Sequence, residues 1–205
     1  GSALGADGSH WKIGRSLSFT GSGCTQTLKY IASCSFGKDS LGAILLALEH
    51  REPLDEAVYC EVMFDKTISG EVPEHRDFIY SKGIPALERM GIKVTVIRGK
   101  KTYVDLFTGP VTRGPKKGLL RSFPICGRCS VQRDCKLRPI QRYQKTLPPD
   151  TIQYIGIAKD EQERLLRLGQ NQVSLLEKYN YTEQDAKELC QKAGLLSPVY
   201  AFTDR

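Results

Sequence analysis

The sequence predicts one α/β domain, built on a mostly parallel, doubly wound sheet with helices on both faces. Three observations carry this expectation. Short β-rich runs alternate with helical stretches from residue 29 onward, the order that parallel pairing requires. The first run, 29–34, passes through a small polar loop, 35–40, directly into Leu41, Ile44, Leu45 and Leu48, spaced as one face of a helix. A chain of 205 residues, 40% of them hydrophobic, is long enough for one full core.

Taken in order, residues 1–28 are rich in Gly and Ser, open on Gly-Ser and read as a tag or flexible N-terminal tail. Strand one follows, then its loop, then a helix that Asp39 or Ser40 is placed to cap. Residues 56–64 (E-A-V-Y-C-E-V-M-F) read as strand two. Pro73-Glu74 opens a helix, with proline in the first turn and an acid near the positive dipole end. It is expected to run to Met90, with Gly83-Ile84-Pro85 as an interruption. Strand three is 93–98. Residues 108–123 form a loop rich in Gly, Pro and cations, and 126–143 are cysteine-bearing turns leading into a helix. Strand four is 152–158, a short helix 160–168, and a last helix 182–193 with a capping box of Thr182 and Asp185. Neither an internal repeat nor a second domain is expected.

Composition narrows the function. No apolar run approaches the roughly 20 residues of a bilayer span, so no membrane partner is expected. The N-terminus lacks a signal-peptide core, which predicts a cytoplasmic protein. Seven cysteines are an odd number, and three of them cluster, which suits a metal site better than a disulfide framework. A net charge of +7 predicts an anionic partner. A homodimer remains open.

The loop S-F-G-K-D-S has the parts of an anion site. A helix start offers free N–H groups and a positive dipole end, Lys38 adds a cation, and Ser35 and Ser40 add hydroxyls. A Walker A loop is excluded, because it would need glycine where Ala32 stands and a hydroxyl where Asp39 stands. Asp65, at the predicted end of strand two, is placed to face the same crevice and accept from a ribose hydroxyl or an adenine amino group.

Cys126, Cys129 and Cys135 lie within ten residues, the first two as C-x-x-C, and can converge on zinc or on an iron–sulfur cluster. The fourth thiol in view is Cys190. Between Arg113 and Lys145 stand ten Lys or Arg and one acid, Asp134. That balance suits a nucleotide's phosphates, or a nucleic acid bound through 113–145. Few aromatics interleave it, which argues against a base-stacking platform.

The loop S-F-G-K-D-S resembles the S-G-G-K-D-S loop of the adenine nucleotide alpha-hydrolase (PP-loop) superfamily, which holds the ATP pyrophosphatases and the phosphoadenylylsulfate (PAPS) reductases. Phe36 matches the reductase form, whereas Lys38-Asp39-Ser40 match the pyrophosphatase form. Phe64-Asp65-Lys66-Thr67 with Gly70-Glu71-Val72-Pro73-Glu74 resembles the reductase segment F-x-D-T-G-x-E-x-P-E. Q-R-D-C-K-L-R-P-I is similar to the family's basic segment near the terminal phosphate or sulfate. Y-I-G-I-A-K-D-E-Q-E-R resembles its strand-end motif G-I-R-x-D-E-x-x-R, and Ser197-Pro198-Val199-Tyr200 the S-P-L/I-Y segment that closes these domains.

The resemblance covers 29–205 and implies a Rossmann-like PP-loop domain with a basic, cysteine-containing segment at 108–146. It implies ATP or PAPS as cofactor, with chemistry at the α-phosphate or the phosphosulfate. Ser35, Phe36, Gly37, Lys38, Asp39, Ser40, Asp65, Arg133, Lys136 and Gly156 would bind the nucleotide, and Lys38, Arg138 and Arg164 would act in catalysis. Sulfate-assimilating reductases carry a catalytic cysteine in a C-terminal E-C-G-x-H motif that has no counterpart up to Arg205. The expectation is therefore a shortened chain or a member without reductase chemistry. A non-catalytic nucleotide-binding module linked to nucleic-acid modification, and an iron–sulfur-dependent RNA thiolation enzyme, are the alternatives.

Overall fold

The computed structural model describes residues 28–121 and 129–201. The expected tail at 1–28 lies outside them except for Leu28, as does Cys126. Five strands form one parallel sheet in the order β3-β2-β1-β4-β5: β1 Tyr30–Cys34, β2 Glu56–Glu61, β3 Lys93–Arg98, β4 Ile152–Ile155 and β5 Gln172–Val173. The order reverses between β1 and β4. In open α/β sheets, ligands bind at the carboxyl ends of the strands beside such a switch point.

The main core lies on one face. Ala32 and Cys34 of β1 and Ala57 and Tyr59 of β2 meet Leu41, Ile44 and Ala47 of α1 (Lys38–Glu49). Two further helices join there: α2 (Pro73–Phe78) through Phe78 and α3 (Ile84–Arg89) through Leu87. Ala186 and Cys190 of α8 (Glu183–Lys192) close the layer, with Leu175 and Leu176 of a short α7, Leu175–Lys178. Gly42 lets α8 approach α1, since a Cβ there would stand 3.2 Å from that of Ala186.

The other face is covered mainly by α5 (Arg138–Gln144) and the turn before it, which reach β2 and β3. Tyr143 donates to the carboxylate of Glu56 at 2.6 Å, and the Cys60 thiol donates to the carbonyl of Cys135 at 3.5 Å. Two short helices complete the fold, α4 (Tyr103–Thr108) and α6 (Gln162–Leu165).

Two helices differ from the expectation in the same way. Between α2 and α3 the chain makes a π-helical turn, Ile79–Gly83, and before α5 another, Gln132–Leu137. Each is followed by a helix with proline at its start, Pro85 and Pro139. Proline has no N–H and clashes with the carbonyl one turn back, and a widened turn accommodates both effects without ending the helix. The segment from 73 to 89 is therefore continued through Gly83-Ile84-Pro85 rather than broken there.

β2 and β4 are shorter than expected, and α1 is not capped by Asp39 or Ser40. Its N-cap is Gly37, without a side-chain cap, and the Ser40 hydroxyl instead donates back to the Gly37 carbonyl at 3.0 Å. The Thr182–Asp185 capping box on α8 is present as expected.

Candidate functional site

The loop 35–40 lies at the carboxyl end of β1, beside the switch point. A cavity of about 240 Å³ opens there, lined by Ser35, Gly37, Asp39 and Ser40 of the loop and by Ile155 and Gly156 at the end of β4. Lys136, Arg164 and Tyr200 also line it, and Val58, Ile140 and Cys60 give it an apolar side. Gly156 is required: a Cβ there would lie 2.6 Å from the backbone of both Asp39 and Ser40. The end of β4 thus presses against the first turn of α1.

The loop is tied together by its own serines. The Ser40 hydroxyl accepts from the Ser35 N–H at 3.1 Å and sits 3.3 Å from the Ser35 hydroxyl. Phe36 takes a left-handed φ of 58°, a conformation that favours glycine. Its ring is fully buried and meets Tyr59 edge-on at 5.4 Å. The last described segment lies over the loop. Tyr200, in a 3₁₀ turn (Pro198–Ala201), accepts the Lys38 N–H at 3.0 Å. His75 bridges the two: its Nδ1 is 2.7 Å from the Ser197 hydroxyl and its Nε2 3.2 Å from the Ser35 carbonyl. A carbonyl only accepts, so Nε2 donates to it, and in the neutral ring Nδ1 then accepts from Ser197.

Several expected ligands are placed differently. Lys38 does not line the cavity. Its ammonium is 2.7 Å from Glu183 and 3.1 Å from Asp39. Burial works against its charge, but the two carboxylates outweigh this and raise its pKa. Asp39 is also raised, by burial and by repulsion from Glu183 and Glu161 that its contact with Lys38 does not cancel. One ammonium is thus shared between two acids, and Asp39 is shifted toward its neutral form. Arg133 and Arg138 do converge on one anion, but it is the buried carboxylate of Asp134, each at 2.8 Å. Of that basic group only Lys136 reaches the cavity. Arg164 lines it while paired to Glu161.

The Asp65 carboxylate is taken up by its own turn. One oxygen accepts from the N–H groups of Thr67 and Ile68 and from the Thr67 hydroxyl, which hold the acid below its usual range. It does not line the cavity. The cations of 113–121 lie on a turn-rich excursion pinned by a bridge between Pro110 and Leu120, and none lines the cavity.

The thiols divide into groups. Cys129 and Cys135 share a small apolar cluster with Leu106 and Val131, immediately before Lys136. Among the described residues no group of three or more His, Cys, Asp or Glu side chains is placed to hold a metal. Cys190 belongs to the main core, donating to the Lys38 carbonyl at 3.2 Å, and is not a fourth thiol for that cluster. Cys34 and Cys60 do line the cavity, but burial pushes both up to about 11, so they are protonated at neutral pH and are poor nucleophiles.

Sequence reasoning missed His75, Glu183 and the hydroxyl of Tyr200. The S-P-V-Y segment was the one available signal, since the other two act through contacts between residues far apart in the chain.

Fold and loop together define a doubly wound α/β domain with a strand-to-helix loop and a polar cavity at its switch point. Among solved structures, one that is similar is the U34-tRNA thiolase NcsA from Methanococcus maripaludis with its 4Fe–4S cluster, at 17% identity and a TM-score of 0.47. The match covers 83% of this chain and 58% of that one, so the chain spans less than two thirds of its length. No protein-family model matches the chain, and no curated protein does. No helix among the described residues is long and apolar enough to cross a membrane.

Proposed function

We propose that the chain binds an adenine nucleotide through its S-F-G-K-D-S loop and acts at the α-phosphate of ATP or the phosphosulfate of PAPS. The observation that carries this reading is the convergence at the switch point. The first turn of α1, the Gly156 backbone, Lys136 and Arg164 surround one polar cavity. Helix geometry leaves the N–H groups of Gly37, Lys38, Asp39 and Ser40 without intrahelical acceptors. The N–H groups of Gly37, Asp39 and Ser40, with the two cations, would stabilise negative charge developing on the reacting phosphate, the Lys38 N–H being held by Tyr200. Val58, Ile140 and Ile155 would receive the base.

Calorimetric titration with ATP, AMP and PAPS tests the reading. Binding of at least one is expected, with loss of at least tenfold in Gly156→Ala, whose added methyl must push the loop away. A folded protein that binds none of the three overturns it.

A second reading is favoured by the packing of Cys129 and Cys135 beside the cavity-lining Lys136. In it, Cys126, Cys129 and Cys135 hold an iron–sulfur cluster, and the nucleotide chemistry serves RNA thiolation. Three cysteine ligands leave one iron open, which is what such a cluster supplies to sulfur chemistry. Anaerobically purified protein would then carry iron and sulfide, and Cys129→Ser would lose both. Absence of iron from the wild type rules this reading out and leaves the first untouched.

A further inference from the structure

A second cavity, of about 400 Å³, lies on the sheet face that α5 leaves open, over β1, β4 and β5. The elements that line the first cavity line this one too, one step further along. β1 contributes Ser33 to the first and Ile31 to the second, and β4 contributes Ile155 and then Gln153. α5 gives Ile140 and then Gln144, while α6 and the turn after it give Arg164 and then Arg167. Residues two apart on a strand, and four apart on a helix, share a face. The two cavities therefore lie in line on one face of the sheet, the near and far halves of a row that starts at the switch point.

The far half is lined by amides whose orientations are fixed. The Gly169 N–H donates to Gln172 Oε1 at 2.9 Å, so the NH₂ of Gln172 is the end facing Gln153, 3.2 Å away. Gln144 also donates to Gln153, at 2.6 Å. Two donors on one atom make that atom the Gln153 carbonyl oxygen. The Gln153 NH₂ is thereby turned away from both partners, and it has no acceptor among the described residues. The residue is 7% exposed and lines the cavity, and its NH₂ keeps solvent contact there, so a ligand acceptor would take the place of water. Asn171 offers the complement. Its NH₂ donates to the Pro149 carbonyl at 3.0 Å, which leaves its own carbonyl as the free end.

One donor and one acceptor suit a ligand edge carrying C=O beside N–H. Leu147 and the two prolines 148 and 149 give an apolar wall, and among the described residues the Arg167 guanidinium pairs only with Glu163, at 3.7 Å, leaving it able to meet a phosphate. We infer that the far cavity binds a nucleotide unit whose base has a lactam edge (uracil, guanine or hypoxanthine), with its phosphate toward Arg167. The site is distinct from the adenine-nucleotide site and does not depend on it.

The test is calorimetric titration of UMP, GMP, CMP and AMP, and of a short uridine oligonucleotide, with and without saturating ATP. UMP and GMP should bind at least tenfold tighter than CMP and AMP when ATP is present. Gln153→Glu keeps the carbonyl that Gln144 and Gln172 use but replaces the donor, and should weaken UMP at least tenfold. Should that variant unfold, Arg167→Ala, on an exposed side chain, should weaken UMP several-fold while leaving uridine unchanged. Binding of UMP alone marks a free nucleotide as the source, and binding of the oligonucleotide alone marks a nucleic acid. No binding of UMP, GMP or the oligonucleotide overturns the inference, as does equal binding of all four mononucleotides. Failure of ATP to bind bears only on the adenine-nucleotide site.

Discussion

The hydroxyl of Tyr200 accepts a hydrogen bond from the backbone N–H of Lys38 at 3.0 Å, across 162 residues of chain. It thereby satisfies one of the four N–H groups that the start of α1 leaves without an intrahelical acceptor. Tyr200→Phe keeps the ring and removes the acceptor. A loss of about 1 kcal/mol is expected, read as a fall of roughly 3 °C in melting temperature. A phosphate would find that N–H unoccupied, so ATP affinity should be unchanged or higher in the variant. Weaker ATP binding in a folded Tyr200→Phe protein would show that the hydroxyl serves the nucleotide instead.

Phe36 sets two effects against each other. Its ring is fully buried, and removing it costs about 3–5 kcal/mol, but its backbone is left-handed, which glycine tolerates better by roughly 1 kcal/mol. Phe36→Ala is therefore predicted to be the least stable of three, below Phe36→Gly, with the wild type highest. Urea unfolding gives the order. Gly83→Ala places a methyl 2.7 Å from the Phe36 ring, so it should destabilise the wild type and be nearly silent in Phe36→Ala.

The buried carboxylates at the two ends of β2 predict acid sensitivity. Burial raises the pKa of Glu56, but hydrogen bonds from Thr95 and Tyr143 and the ammonium groups of Lys29 and Lys93 outweigh it and hold the acid down to about 2. Burial also opposes ionisation of Glu61, and Arg98 and Tyr80 pull it below its usual value. A depressed carboxylate contributes stability that is complete above its unfolded pKa and is lost as pH falls through its folded one. Unfolding free energy should thus be flat from pH 7 to about 5 and fall steadily between roughly 4.5 and 2. In Glu56→Gln that slope should be shallower. An identical slope in the variant would assign the acid sensitivity elsewhere.

The basic segment divides by what its cations already hold. Arg133 and Arg138 neutralise Asp134, whereas Lys136 faces the cavity. Lys136→Ala and Arg164→Ala should weaken ATP about tenfold, near 1.4 kcal/mol, the lower end of the range for a hydrogen bond to a charged group. Arg133→Ala should stay within about twofold, since this arginine is turned to Asp134 and does not line the cavity. Calorimetry on the three proteins decides it. A tenfold loss in Arg133→Ala would mean that the arginine leaves Asp134 for the nucleotide.

Strands β1 to β4 and helices α1 and α8 were legible because each carries its own local pattern: a short β-rich run, a 3.6-residue apolar spacing or a capping box. α4 had such a signal as well, Thr102 and Asp105 in a capping box, in a stretch between strand three and the loop at 108 to which no element was assigned. β5 has two residues and α7 four, too few for any period to show. The loop 35–40 was legible as a strand-to-helix turn from its order of strand, small residues and helix. What its cations hold was not, because Glu183 and Asp134 compete for them through contacts that spacing does not encode. Asp65 was misplaced for a related reason: a carboxylate followed by free N–H groups at Thr67 and Ile68 closes its own turn before it reaches a crevice.

The widened turn ahead of Pro85 also sets the phase of its helix. Ile79 and Leu87, both fully buried, are eight residues apart. In an unbroken α-helix they would point roughly 80° apart around the axis. The extra residue absorbed by the turn takes out about one 100° step, so that the two side chains lie within roughly 20° of each other and enter one core. Replacing Pro85 alone would therefore not straighten the helix, because a regular helix would rotate one of these residues out of the core. Straightening it requires deleting one residue between 79 and 83 as well, and that double change is the one the core would accept.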